Sequence, residues 1–389
     1  MRKTFFIIKN MKKKLGNDFF SKYKSINKKK NRVIRIEVED DEQKVIYHNE
    51  TKQNIIYNSN PEEISFTNNL AEDSFSHNLS INSFIVFKTI NEILCLVYTN
   101  ENKSIITYSL DNNKKMNEIK NAHKSYICDL KYHLDSIHHR DLVLSISLYD
   151  NNIKVWDINS LECILNLDKI YKKQSVITAC FYRSPKQNYI ITGINNDSDP
   201  IKMINLDNLR VQKLLDSKDK IYFIDCYHDK NSSKNYIITG DEIYIQSFEF
   251  KEKKLYHLYY DKDDFLNYKS IIIWNNEGII QLLESGKRGY VRIWDFHSGK
   301  LLNKIKISKN GVSCLCMWNN EYLFAGCDDK KIRLVDLKNR KVIKKLVGHD
   351  NIVSDIKKII IPKLGECLIS QGENNEKIKI WENKIDNLI

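Results

Sequence analysis

The side chains able to do chemistry are scattered along this chain, with no recognisable catalytic grouping. It contains no GxSxG, no HExxH and no complete phosphate-loop sequence. Ser285-Gly286-Lys287-Arg288-Gly289 has a superficial likeness to a phosphate cradle. Such a cradle needs a first glycine and a following helix whose N-terminal amides meet the phosphate. Here the segment lies between two strand-like runs, so a hairpin turn is the favoured reading. His138-His139, with His133 nearby, offers imidazoles for a metal. Adjacent strand residues point to opposite faces, and adjacent loop residues have no fixed geometry, so no metal site is expected. Nine cysteines (Cys95, Cys128, Cys163, Cys180, Cys226, Cys314, Cys316, Cys327 and Cys367) form no CxxC pair. They read as small buried hydrophobes of a reducing compartment. Cys314-Leu315-Cys316 puts two thiols on one strand face, but no second pair stands at zinc-ligand spacing. No catalytic residue, metal or cofactor is expected.

Charge is equally uneven. The net charge is +12 over 389 residues. Residues 1–32 hold twelve Lys/Arg and one acid, Asp18, which leaves 50 basic and 49 acidic residues for 33–389. The body is therefore neutral, and the total implies no basic groove on it. Lys12-Lys13-Lys14 and Lys28-Lys29-Lys30 flank Phe19, Phe20 and Tyr23. Clustered ammonium groups release counterions from phosphates, so this tail is a candidate nucleic-acid or nuclear-localisation arm. With Phe5-Phe6-Ile7-Ile8 and few acids it also has features of an organelle-targeting segment, and a solvated tail without a partner is the plain alternative. That apolar run is too short for a secretory signal, and runs such as Ile271-Ile272-Ile273-Trp274 fall far below the ~20 residues of a membrane span.

The elements that would position any site emerge from a repeat. Ile153-Lys154-Val155-Trp156-Asp157 recurs as Val291-Arg292-Ile293-Trp294-Asp295, Ile332-Arg333-Leu334-Val335-Asp336 and Ile378-Lys379-Ile380-Trp381-Glu382. Weaker copies are Ile105–Ser109, Ile201–Asn205 and 243–247, which places the fourth positions at 108, 156, 204, 246, 294, 335 and 381. Seven copies about 40–50 residues apart are the signature of a propeller-type array. Each period reads as four strands. An inner strand such as 176–181 is followed by an apolar run such as 189–193. The Trp-type strand and a shorter outer strand such as 163–167 complete the unit. The recurring Trp residues then read as packing groups, as do Trp274 and Trp318 in inner strands.

From about residue 60 onward these residues resemble the WD40-repeat β-propeller family. Gly348-His349 matches the family's Gly-His pair, with weaker forms at Ala122-His123 and Ser76-His77, and Trp156-Asp157 and Trp294-Asp295 match its Trp-Asp pair. The resemblance implies an all-β, seven-bladed propeller of four-stranded antiparallel blades over 33–389, behind a basic, flexible tail at 1–32. It implies a hydrogen-bonded set of His123, Ser145 and Trp156 in blade 2, and another of His349, Ser370 and Trp381 in blade 7. Asp150 and Asp329 occupy the family's turn position, where blade 7 has Asn375. Only eight residues follow Trp381, so an N-terminal strand is expected to complete blade 7 and close the ring. The candidates are Val45-Ile46-Tyr47 and Ile64-Ser65-Phe66, with Val33–Ile36 as an additional strand.

The function expected is that of a non-catalytic protein-interaction scaffold, a subunit or adaptor of a larger assembly in the cytoplasm or nucleus. The alternative is a nucleic-acid-associated factor using residues 1–32 on RNA or DNA. By the family resemblance, the partner-binding face includes Lys124, Tyr126, Tyr149, Asp150, Lys287, Arg288, Tyr290, Asp329 and Lys330. Other proteins are the expected partners, without a cofactor or membrane span.

Overall fold

The computed structural model describes residues 32–39, 42–49, 83–100, 103–147, 150, 152–169, 176–184, 186–194, 201–215, 221–241, 243–261, 268–276, 278–361, 364–373 and 378–382. The chain falls into two compact units, Met1–Asn60 and Pro61–Ile389. In the first, Arg32–Glu39 and Glu42–Asn49 pair as an antiparallel hairpin, with Ile34 opposite Tyr47 and Ile36 opposite Val45.

The second unit is a ring of seven antiparallel blades. Blades 1 to 6 span 84–119, 129–166, 176–215, 223–259, 268–306 and 312–347, each with four strands. Blade 7, at 353–382, has three strands among the described residues. Both sheet faces are covered by neighbouring blades, so the second and third strands are apolar almost throughout. Leu142, Val143, Leu144 and Ile146 are all 0% exposed, where a one-sided sheet would alternate.

The core consists of seven layers, one between each pair of blades. Val143 and Trp156 of blade 2 pack on Cys95 and Val97 of blade 1. Ile190 and Ile204 of blade 3 pack on Leu144 and Val155. Leu282 and Trp294 meet Tyr236 and Ile238 of blade 4, and Leu368 and Trp381 meet Phe324 and Leu334 of blade 6. Leu96 and Tyr108 of blade 1 pack on Ile369 and Ile380 of blade 7, which closes the ring. The Trp-type position therefore always faces the preceding blade.

Blade 4 corrects the sequence register. Its third strand is Ile245–Glu249, and Phe248, opposite Ile237, takes the Trp-type position expected at Gln246. The Ile-Tyr-Ile rhythm of 243–245 imitates the repeat two residues early. Packing against blade 3 selects the large apolar Phe248 instead. Of the proposed closing strands, Val45–Tyr47 pairs within the N-terminal hairpin, and Ile64–Phe66 lies outside the described residues.

Candidate functional site

In each blade the second-to-third-strand turn and the connection to the next inner strand lie at one end of the ring. The chemistry-bearing residues of blade 2 gather there. His123 is 3% exposed, and its Nε2 stands 2.7 Å from Ser145 Oγ. Trp156 Nε1–H donates to the same oxygen at 2.9 Å. His123 Nδ1 faces Asp150 Oδ2 at 3.2 Å, and Lys124 N–H donates to that carboxylate at 2.9 Å. A carboxylate only accepts, so Nδ1 carries the proton; in the neutral ring the Ser145 hydroxyl then donates to Nε2. The chain of donors runs from Trp156 through Ser145 and His123 to Asp150. Burial alone would raise the Asp150 carboxyl, but the His123 ring and the Lys124 amide outweigh it and lower it.

Blade 7 repeats the arrangement, with His349 Nε2 and Trp381 Nε1 each 2.7 Å from Ser370 Oγ. Asn375 lies outside the described residues. Both sets have a partner that sequence reasoning missed, a lysine two residues before the indole. Lys154 Nζ donates to Ala122 O at 2.6 Å, and Lys379 Nζ donates to Gly348 O, tying the third strand to the connection that carries the histidine. The signal was present, because a basic residue recurs at this position as Lys154, Lys202, Arg292, Arg333 and Lys379.

Other blades use that position differently. In blade 5, Glu284 stands where blades 2 and 7 have serine, opposite Arg292. Glu284 is 0% and Arg292 1% exposed. The guanidinium donates to Glu284 at 3.1 Å and, through Nε, to Asp261 at 2.9 Å; Lys304 reaches Asp261 at 2.7 Å. A buried ion network replaces the neutral chain, and the indole Nε1 of Trp294 has no hydrogen-bond partner among the described residues. In blade 6, Arg333 grips Asp329 through two bonds, at 2.7 and 2.5 Å.

The expected partner-binding residues separate into two kinds. Asp150 and Asp329 are engaged inside their own blades. Lys124, Tyr126, Lys287, Arg288 and Lys330 are exposed, whereas Tyr149 lies outside the described residues. Lys287 and Arg288 form a turn whose closing residue must be glycine. Gly289 has φ +72°, and a Cβ there would lie 2.1 Å from Asn310 O. Behind the turn, the Lys306 and Lys304 ammonium groups stand 4.2 and 4.7 Å from the Tyr290 ring centroid. Lys306 also donates to Arg288 O at 2.7 Å, bracing the turn from the outer strand.

The remaining candidates are absorbed by packing. His138 Nδ1 bonds Asp135 at 2.9 Å, and His133 Nε2 meets Asn188 at 3.0 Å. Cys314 and Cys316 flank Leu315 on the inner strand of blade 6, and burial pushes the Cys316 thiol up to about 11. Among the described residues no group of three or more His, Cys, Asp and Glu side chains converges as a metal cage. No helix among them is long and apolar enough to cross a membrane.

Comparison with known proteins agrees with this architecture. The WD domain, G-beta repeat model matches residues 299–336. That segment runs from just before the outer strand of blade 5, Leu301–Lys306, to the end of the third strand of blade 6, Lys331–Asp336. With seven such blades in a ring, this match supports a WD40-repeat β-propeller. It is similar to the U3 small nucleolar RNA-associated protein 21 homolog of Schizosaccharomyces pombe, with 29% identity over 70 residues. The match covers 18% of this chain and 8% of that protein.

Proposed function

We propose that the protein is a non-catalytic interaction scaffold, a subunit of a nuclear assembly associated with small nucleolar RNA. The observation that carries the scaffold reading is the surface around Tyr290. Two exposed cations, Lys287 and Arg288, stand on a glycine-closed turn beside an aromatic ring flanked by lysines. Tyr and Arg are favoured interface anchors, and a Tyr ring gives up little conformational freedom on binding. The similarity to a U3 small nucleolar RNA-associated protein supports the RNA-associated setting and the nuclear location. It also favours a second reading, in which the basic residues 1–32 contact RNA directly and the propeller contacts protein.

The test is affinity purification of the full chain from its own cells, alongside the double variant Lys287→Glu, Arg288→Glu and a version lacking residues 1–32. The double substitution changes the local charge by four units, and like-charge juxtaposition at an interface costs several kcal/mol. Loss of co-purifying chains from the double variant, with an unchanged melting temperature, is the expected result. Retained capture by the double variant, with loss on tail deletion, would instead establish the second reading.

A further inference from the structure

The near-neutral charge of the body conceals a division. Residues 287–345, from the second-to-third-strand turn of blade 5 to the outer strand of blade 6, hold fifteen Lys/Arg against five Asp/Glu. The remainder of 33–389 holds 35 against 44 and is acidic. The excess is densest on the outermost strand of blade 6, Lys341–Val347, and on the turn before it. From Leu337 to Val347 the chain has five cations, Lys338, Arg340, Lys341, Lys344 and Lys345, and no acid.

The acids of the same blade are largely committed to other groups. Asp329 is held by Arg333. Asp336 stands opposite Lys341 in the register, and its carboxylate accepts from the Asn339 amide at 2.8 Å and the Asn339 side chain at 2.7 Å. Lys338, Arg340 and Lys341 are exposed. Lys338, Arg340 and Lys344 have no ion pair among the described residues. Lys344 is half-buried, and desolvation lowers its pKa with no carboxylate in place to raise it back. A phosphate beside it would supply the missing anion.

Lysines on an edge strand also deter edge-to-edge pairing. Protection alone does not account for this concentration. The outer strands of blades 2 and 3, Cys163–Asn166 and Val211–Leu215, lie at sheet edges too, yet the first has no cation and the second has Lys213 alone. From Lys341 to Lys345 the edge covers about 14 Å, the axial rise of about four stacked nucleotides. Lys338 also borders a cleft between blades 5 and 6, which leaves room beside the cations for an unstacked base.

We propose that the outer edge of blade 6 is an RNA-binding rim, on which Lys338, Arg340, Lys341, Lys344 and Lys345 track the phosphates of a single strand. The inference rests on the RNA-associated reading above for the choice of RNA among polyanions. It goes further by placing an RNA contact on the propeller itself, apart from residues 1–32. Contacts to the backbone fix position and carry no sequence preference.

The test uses the purified full chain and synthetic oligouridylate RNA. Lysine acetylation with and without saturating RNA, read by mass spectrometry, is expected to show protection of Lys338, Lys341, Lys344 and Lys345 but not of Lys213. The triple variant Lys338→Gln, Arg340→Gln, Lys341→Gln is expected to bind at least tenfold more weakly. Its salt dependence, as log affinity against log salt, is expected to flatten by about 2, since each phosphate contact to a single strand contributes ~0.7. Lys213→Gln is expected to change neither quantity. The footprint is read on the unsubstituted chain, so it remains decisive if the triple variant fails to fold. Protection confined to residues 1–32, or a folded triple variant with unchanged affinity and slope, overturns the proposal. Tighter binding of polyglutamate than of RNA, lost in the triple variant, would assign the rim to an acidic protein and overturn it as well. No other subunit is present in these assays, so failure of the scaffold reading shows separately, as unchanged co-purification in the Lys287→Glu, Arg288→Glu variant.

Discussion

Asp135, at the turn after the inner strand of blade 2, is 0% exposed and surrounded by donors. It accepts from the Ile137 and His138 amides, from His138 Nδ1 at 2.9 Å, and from Arg140 Nε and Nη2 at 3.1 and 2.8 Å. Burial alone would raise its carboxyl; the donors outweigh it and hold the pKa at about 2. An unfolded Asp titrates near ~3.9. The folded value is depressed, so the stability it contributes is complete above about pH 4 and is lost as the pH falls through 2. Between pH 5 and pH 3 the protein is expected to lose about 1 kcal/mol more than Asp135→Asn does in urea denaturation. Equal losses would show that the carboxylate is not held as described. None of this was legible in the sequence, where Asp135 stands three residues before a histidine pair that drew attention as a metal candidate.

Among the elements, the third strands show how one repeat position serves different physics. Trp156 and Trp294 occupy the same place and face the preceding blade, and both are buried. Trp156 donates to a serine, whereas Trp294, beside the Glu284–Arg292 pair, donates to none of the described residues. Trp156→Phe therefore forfeits packing and a hydrogen bond worth ~1 kcal/mol, while Trp294→Phe forfeits similar packing but removes a buried unpaired donor that itself costs ~1–3 kcal/mol. Trp156→Phe is expected to be the more destabilising by about 2 kcal/mol in denaturant melts. The reverse order would contradict the hydrogen-bond assignment. The repeat rhythm located both indoles, but it carried no information on which had a partner, because that depends on residues from other strands.

At the scale of the whole molecule, ring closure rests on the layer between blades 7 and 1, built from Ile359, Ile369 and Ile380 against Leu96 and Tyr108. Blade 7 has three strands among the described residues, and an unpaired strand edge invites association. Our reading that a segment before residue 69 supplies the fourth strand leads to a comparison of two truncations. Removal of residues 1–32 is expected to leave the melting temperature unchanged, because the core layers between the blades are built from Phe84 onward. Removal of 1–68 is expected to lower it and to promote aggregation. Equal melting temperatures for the two truncations would rule out closure from that segment.

The sequence alone determined the number of blades and the strand order within them. These follow from local rules: a period near 46 residues, alternation along strands, and polar turns between apolar runs. It also led, through family resemblance, to the histidines, serines and indoles of blades 2 and 7, and to the exposed turn at Lys287 and Arg288. The tertiary structure alone decided what depends on side chains far apart in the chain. It placed Phe248 rather than Gln246 against blade 3, since facing volume settles register where two apolar rhythms overlap. It committed Asp150 and Asp329 to partners within their blades, and it assembled Glu284, Arg292, Asp261 and Lys304 into one buried network. It also brought Asn276, Gln281, Asn303 and Asn320 to a single cleft. Burial and pairing are properties of the space between blades, and a repeat pattern specifies that space only once the ring has closed.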